Sequence, residues 1–317
     1  MKTDFVIGLD SFHRSSKRGA AVTIGTFDGI HRGHQAILKR VREVAREGDL
    51  ASVLVTFDPH PRVIISPEKT PQLLTTLQEK KQFVPSFFEG TVLVLNFDKN
   101  LMNLSAEEFI RNVVIDRIGA TTVIVGYDHA FGKNRTGNIA ELSRLGRDLN
   151  FQVEVVDPVI FEGKAVSSTR IRTAMLANQY DEAIRLLGHH YAIFGTVERG
   201  IGLGRKLGYP TANVKYSPTK LLPPEGVYSC WAQVSGEDKN GMMFIGKNHF
   251  NPSGRVTVEA NLFDFDRDIY DEELVVYPTR FVRENRHYSS TEELVKQIAI
   301  DKMNILEIVQ RGETRCL

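Results

Sequence analysis

Two histidines three residues apart, His31 and His34, sit in the stretch T-I-G-T-F-D-G-I-H-R-G-H-Q from Thr23 to Gln35, behind an apolar run and a glycine-containing turn. If the residues from about Gly33 are helical, both imidazoles lie in the first helical turn. There they adjoin free backbone N–H groups and the positive end of the helix dipole. Two rings facing one bound anion suit nucleotidyl transfer. When an acceptor anion attacks the α-phosphorus of ATP, charge grows on the equatorial and leaving oxygens, and fixed donors lower that barrier without a covalent intermediate. A lone histidine here reads as a surface residue; H-x-G-H behind a strand and a glycine turn reads as a phosphate site.

Two further stretches carry donors. In V-S-S-T-R-I-R, Ser167, Ser168 and Thr169 offer hydroxyls at a helix start and Arg170 adds a fork of N–H groups. That is a second phosphate clamp or a plain N-cap with surface arginines; opposite H-R-G-H in a parallel sheet, the clamp is favoured. G-I-G-L-G-R-K-L-G-Y-P-T-A-N spaces Gly200, Gly204 and Gly208 at four-residue intervals, which is neither a P-loop nor a dinucleotide fingerprint. Glycine density lets backbone N–H groups approach phosphate, although taken alone the stretch reads better as a flexible hairpin.

The elements around these stretches fall into two textures. Met1 to Lys17 contributes a short strand, and A-A-V-T-I-G is a buried strand leading into the histidine turn. The next helix carries Ile37, Leu38, Val41, Val44 and Ala45 on one face and stops at Gly48. A-S-V-L-V-T-F, T-V-L-V-L-N-F, T-T-V-I-V-G and F-Q-V-E-V-V-D are further strands, with a helix opened by the capping box Ser105 to Glu108 and ended by Gly119. Strand and helix in alternation predict an α/β domain with a doubly wound parallel sheet, which binds ligands at its strand ends. Asp58-Pro59-His60-Pro61 reads as a loop, because its prolines stop ladder pairing.

After the helix Asp181 to Leu187 and Gly188 the helical period gives way to short β-prone runs between glycines, prolines and asparagines. They predict a second domain, a small antiparallel β-barrel, followed by a terminal helix opened at Ser290 to Glu293. The expected boundaries are 1–186 and 187–317. A length of 317 residues agrees with two domains. A net charge of +1 argues against nucleic acid or an anionic membrane surface as partner. Cys230 and Cys316 belong to no metal or redox pattern, and no apolar run reaches spanning length, so a reduced cytoplasmic protein is expected.

H-R-G-H matches the H-x-G-H signature of the nucleotidyltransferase superfamily, which includes class I aminoacyl-tRNA synthetases. Their lysine-rich K-M-S-K-S loop and anticodon-binding domain are not evident. More narrowly, T-I-G-T-F-D-G-I-H-R-G-H resembles the bacterial bifunctional riboflavin kinase/FAD synthetase family. T-F-D-P-H-P, F-G-K-N-R-T-G and V-S-S-T-R-I-R look like other segments of that family, and P-T-A-N matches its kinase motif. The resemblance covers about Ala21 to Asp301. It implies ATP-dependent phosphorylation of riboflavin to FMN, then adenylylation of FMN to FAD with release of pyrophosphate.

By the same resemblance, His31, His34 and Arg170 are catalytic, and Gly25, Phe27, Asp28, Gly29, Ser168 and Thr169 bind nucleotide in the first domain. His60, Pro61, Asp128, Phe131 and Asn134 hold flavin. In the second domain Gly200, Gly204, Lys206, Gly208, Thr211 and Asn213 bind nucleotide, and Thr211 and Asn213 supply oxygens to the Mg2+ that accompanies ATP. R-F-V-R-E-N-R-H-Y resembles the family's R-x-E stretch and gives Glu284 the role of general base. Two segments depart from the family pattern. Ile245-Gly246-Lys247-Asn248-His249-Phe250 replaces I-G-x-R-P-T-F, and Asp268-Ile269-Tyr270-Asp271 replaces D-L-Y-G. They leave open an alternative in which the β domain binds flavin as a regulatory module without efficient kinase turnover. A nucleotidyltransferase for another acceptor, or a nucleic-acid-directed protein, is disfavoured by the charge and by P-T-A-N.

Overall fold

The computed structural model describes residues 2–133, 136–200, 202–247 and 256–312. The chain forms two compact units, Met1–Gln72 with Lys80–Ser168, and Leu73–Glu79 with Thr169–Leu317.

The first unit is built on a six-stranded sheet. In chain order it contains β1 (Thr3–Ile7), β2 (Ala20–Ile24), α1 (Arg32–Gly48), β3 (Ala51–Asp58), α2 (Pro61–Ile65) and, from Lys80 onward, α3 (Leu77–Phe87). There follow β4 (Gly90–Asn96), α4 (Lys99–Asn103), α5 (Ala106–Glu108), β5 (Ala120–Gly126), α6 (Ile139–Leu149), β6 (Gln152–Val156) and a hairpin of β7 (Ile160–Phe161) and β8 (Lys164–Ala165). Every pairing in the main sheet is parallel, and the order is β1-β4-β3-β2-β5-β6. The order reverses beside β2, so the turn after β2 lies at the switch point where open α/β sheets receive ligands. β2 is buried along its whole length, and α1 covers the sheet with Leu38, Val41 and Ala45.

Local details refine the expectations. The left-handed residue that ends α1 is Asp49, at φ 53°, and not Gly48, which stays helical. Aspartate's short polar side chain tolerates that conformation. The predicted proline loop is partly structured: β3 continues through Asp58, paired with Asn96, and Pro61 opens α2. Proline is well suited to the first helical position, where its missing N–H has no intrahelical acceptor. The Ser105–Glu108 capping box is present, and the segment that continues from it, Phe109–Ile118, is π-helical and ends at Gly119 with φ 81°. Helices α3 and α6 were not anticipated; α3 carries an internal proline, Pro85, and little amphipathic period.

The second unit holds α7 (Ser168–Leu176) from Thr169 onward, α8 (Tyr180–Leu187), β9 (Ile193–Glu198), α9 (Leu203–Lys206), β10 (Ala212–Tyr216), β11 (Gly226–Val234), β12 (Glu237–Lys247), β13 (Val256–Leu262), β14 (Glu273–Arg283) and α10 (Thr291–Gln310). The six strands close an antiparallel barrel in the order β10-β13-β12-β11-β14-β9, with β9 pairing back onto β10. Tyr228, Cys230, Ala232, Met243, Ile245, Val258, Ala260, Leu274 and Val276 fill it. A smaller apolar cluster, Val227, Met242, Phe263 and Ile305, seats α10. The cap of α10 is shifted from the predicted box: Ser290 accepts from the Glu293 N–H, but the Glu293 carboxylate takes the N–H and hydroxyl of Ser289. The short segment Leu73–Glu79 joins this unit through a buried ion pair, Lys220 Nζ to Glu79 Oε2 at 2.8 Å. Glu79 also accepts the Phe194 N–H, and Lys220 lies 3.9 Å from the Tyr191 ring centre.

Candidate active sites

The turn from Gly25 to His31 is backbone under strain, pinned from several sides. Phe27 and Ile30 hold φ of 46° and 43°, and Gly29 holds 91°. Side chains larger than glycine disfavour that region, by about 1 kcal/mol or more each, and persist there only where the surroundings fix them. Here Thr56 Oγ1 and Lys80 Nζ both donate to the Thr26 carbonyl, Ser168 Oγ donates to the Asp28 carbonyl at 2.7 Å, and Gln35 Nε2 to that of Ile30. Phe27, Asp28 and Ile30 are buried. Gly25 lies against the Phe27 ring, where an added Cβ would sit 3.1 Å from it.

His31 is the N-cap of α1, and its Nδ1 accepts the His34 N–H at 3.3 Å. With Nδ1 in that role, the nitrogen of His31 that can donate to a ligand is Nε2. The His31 and His34 rings stack at 3.6 Å and 14°. His34 also meets the Phe27 ring at 5.0 Å, and its Nδ1 is enclosed without a hydrogen-bond partner among the described residues. Burial first, then the neighbouring His31 and Lys80, hold the His34 pKa well below the usual imidazole value. The ring is therefore neutral at pH 7.

His60 repeats the device one strand over. It caps α2 at the end of β3, with Nδ1 accepting the Arg62 N–H, and Pro61 follows it. Asp128 is exposed just beyond β5, on the other side of β2. The expected flavin residues His60, Pro61 and Asp128 thus flank the histidine turn. Phe131 is packed into the apolar core, 8% exposed and stacked on His129, so its ring serves the fold. Asn134 lies outside the described residues. Ser168 reaches the turn through Asp28, and the Val166 carbonyl lies 3.6 Å from where a Cβ on Gly33 would be. Thr169 follows Ser168 in the first turn of α7. Arg170 forms an ion pair with Glu182 of α8 at 3.0 Å.

The barrel unit has a cavity of about 430 Å³. Its wall includes Gly200, Gly204, Thr211 and Asn213, as the sequence led one to expect. The glycines are there for closeness. A Cβ on Gly200 would sit 2.3 Å from the Asn213 amide, and one on Gly204 would sit 2.4 Å from the Tyr209 carbonyl. Lys206 and Gly208 are exposed and do not line the cavity; Arg205 does, and Gly208, at φ 81°, serves the turn. The expected glycine of the D-L-Y-G segment is Asp271 at φ 63°, so aspartate takes up the left-handed turn itself, and Tyr270 lines the cavity. Of the other departing segment, Asn248, His249 and Phe250 lie outside the described residues.

Glu284 does not reach this cavity. It follows the end of β14 and is exposed. The carboxylate that does face the cavity is Glu259 on β13. Strand register places it directly across from Asn213, and it accepts from Thr211 Oγ1 at 3.4 Å and Thr257 Oγ1 at 3.2 Å. Burial pushes its carboxyl above the usual range, an effect the two hydroxyls partly offset. Sequence did hold a signal for it: Thr257, Glu259 and Asn261 alternate with buried Val258 and Ala260, a polar face on a strand otherwise facing the core. Arg283 also lines the cavity, held by a bidentate pair with buried Asp301. Among the described residues no three His, Cys, Asp or Glu converge on one point. The oxygens of Thr211 and Asn213 are a sparse, hard-donor set. That set fits Mg2+, which keeps waters and shares nucleotide phosphate oxygens.

A parallel sheet with H-x-G-H at its switch point, followed in one chain by a closed barrel bearing P-T-A-N, defines a two-site flavin-nucleotide enzyme. The FAD synthetase family model matches residues 13–170, and the riboflavin kinase model matches residues 187–309. The bifunctional riboflavin kinase/FMN adenylyltransferase of Pseudomonas fluorescens is 38% identical over 91% of this chain and 92% of its own length. That of Escherichia coli K12 is 32% identical over 95% and 96%. A crystal structure described as a macrolide-efflux protein from Streptococcus pneumoniae has the same fold, with a TM-score of 0.82 and 29% identity over 95% of this chain and 97% of that one. Among the described residues no helix is long and apolar enough to cross a membrane. The chain belongs to the bifunctional riboflavin kinase/FMN adenylyltransferase family, and it is an enzyme of flavin-cofactor synthesis with both domains present.

Proposed function

We propose that both reactions use ATP, accompanied by Mg2+, at two separate sites, with adenylylation assigned to residues 1–186 and phosphorylation to residues 187–317. In the first, an oxygen of the FMN phosphate attacks the α-phosphorus of ATP, the bond to the β-phosphate bridging oxygen breaks, and pyrophosphate leaves. His31 and the neutral His34 donate to the oxygens on which charge grows, while the pinned turn presents backbone N–H groups and Ser168 holds its register. His60, Pro61 and Asp128 wall the flavin side of this site.

In the second reaction the terminal ribityl hydroxyl of riboflavin attacks the γ-phosphorus, its proton passes to Glu259, and ADP leaves. The base is reassigned to Glu259 from Glu284, which is exposed outside the cavity. Gly200 and Gly204 let the backbone approach the phosphates, and Thr211 and Asn213 would hold the metal ion, whose charge offsets that of the phosphates. The observation that carries this reading is the Asn213–Glu259 register beside Thr211 in one cavity. ATP as donor suits a cytoplasmic enzyme.

The test is to incubate the full chain with riboflavin, ATP and magnesium and to separate the flavins by chromatography. FMN followed by FAD is expected. Conversion of supplied FMN to FAD with no FMN formed from riboflavin would overturn the kinase assignment and favour a regulatory barrel.

A further inference from the structure

Lys80 is a buried cation beside the first site, and no motif singled it out. It lies on α3, is 7% exposed, and its ammonium donates to the Thr26 carbonyl at 2.7 Å. Thr26 is the residue just before the strained Phe27. A neutral hydroxyl, Thr56 Oγ1, already serves that same carbonyl at 3.2 Å, so hydrogen-bond satisfaction alone does not require a lysine there. Burying an ammonium is costly unless charge is useful where it sits.

The groups around it show where the charge acts. Burial draws the Lys80 pKa down from the usual lysine value, and the carboxylates of Asp28, buried in the turn, and Asp58, exposed at the end of β3, act against that and favour the protonated amine. Across the turn stand His34 and His31 of α1, and Lys80 is one of the charges acting on His34. From the remaining packed segment, Ser168 contributes a neutral hydroxyl on the Asp28 carbonyl. Among the described residues with contacts to Thr26, Lys80 is therefore the one side chain that both fixes the turn and carries a charge that acts on His34.

We propose that Lys80 is a positioning residue for adenylyl transfer: its ammonium ties down the Thr26 carbonyl, setting the turn that carries His31, and maintains a fixed positive charge beside His34. This rests on the assignment of His31 and His34 to that reaction. The charge opposes protonation of His34, so the ring stays a neutral donor as pH falls. A protonated His34 would give up the fixed neutral tautomer on which its role depends.

The experiment compares Lys80→Met and Lys80→Arg with wild type and His34→Ala, all as full chains, for FMN conversion to FAD across pH. Circular dichroism and cooperative thermal unfolding of the same preparations report folding, and riboflavin phosphorylation should be unchanged. In Lys80→Met, kcat for adenylylation should fall about 10- to 100-fold, the order that misplacement of a reacting group produces. Its acid limb should also move to higher pH, because removing the charge raises the His34 pKa. Lys80→Arg should restore most of the rate and the position of the limb. Lys80→Met with a rate within twofold of wild type overturns the proposal, and so does a lower rate with an unmoved limb that arginine does not restore. Should Lys80→Met fail to fold, Lys80→Arg decides alone: a limb displaced although the charge is kept overturns the proposal, and an unmoved limb supports it. Retention of FAD formation by His34→Ala would instead overturn the histidine assignment itself.

Discussion

Replacing Glu259 by glutamine separates its chemistry from its scaffolding. Glutamine keeps one acceptor oxygen and the side-chain length, and the hydroxyls of Thr211 and Thr257, which now donate to the two carboxylate oxygens, can rotate so that one of them accepts from the new amide. The structural penalty is that of one weakened hydrogen bond, about 1 kcal/mol, or roughly fivefold in rate if felt wholly in the transition state. Loss of a general base removes about 100- to 10,000-fold. Riboflavin phosphorylation by Glu259→Gln should fall into that second range while adenylylation of supplied FMN stays at the wild-type rate. The pH profile gives a second readout. Burial raises the Glu259 carboxyl, so the wild-type kinase should lose activity in acid through a pKa above the usual carboxylate range, and the residual activity of the variant should lack that limb. Glu284→Gln is the control and should change neither reaction. A loss of less than tenfold in Glu259→Gln, or a large kinase loss in Glu284→Gln, would refute the reassignment.

His34→Ala should lower FAD formation from FMN by about 100- to 1,000-fold, as loss of an oxyanion donor does, and leave riboflavin phosphorylation intact; loss of both in a folded protein would contradict separate sites. Gly204→Ala should raise the KM for ATP in the kinase reaction about tenfold or more, because the new methyl meets the Tyr209 carbonyl at 2.4 Å, and steady-state kinetics with an unchanged KM would show the close approach to be unimportant. Lys220→Met should destabilise the barrel unit by about 3 kcal/mol, since Glu79 keeps only backbone donors for a buried charge. Chemical denaturation followed by the fluorescence of Trp231 measures this, and an unshifted midpoint would count against it.

What was legible in the sequence followed from period and spacing. The run into Gly25 and the face of α1 mark β2 and its helix without ambiguity, and H-R-G-H needs only that helix start to bring its two rings together. Capping residues placed the starts of α5 and α10. Less legible were elements whose stability comes from packing. α3 has little amphipathic period and contains Pro85, and β10 is hidden behind a motif that reads as a loop. The proposed move of the kinase base from Glu284 to Glu259 has a related reason. Glu284 stands in a charged string that looks like a motif, whereas Glu259 looks like the outward residue of an alternating strand. Only closure of the barrel, which sets Glu259 opposite Asn213, turns that outward face into the wall of a cavity. Lys80 was invisible because its acceptor, Thr26, lies 54 residues away in sequence.

The assignment of Leu73–Glu79 to the barrel unit has a consequence for how such a chain can be cut, shuffled or inherited. The path enters that unit at Leu73, leaves it after Glu79 and returns at Thr169. No single break therefore yields two intact units. A protein ending at residue 186 would carry Glu79 without Lys220 and Leu73 without the backbone partners it has at Thr219 and Leu221. A barrel beginning at residue 187 would expose the partners of a segment it no longer contains. A recombination that exchanged one half for a homologue's would succeed only if the incoming piece accepted this seven-residue insert, so the two halves are constrained to change together even where each has its own chemistry.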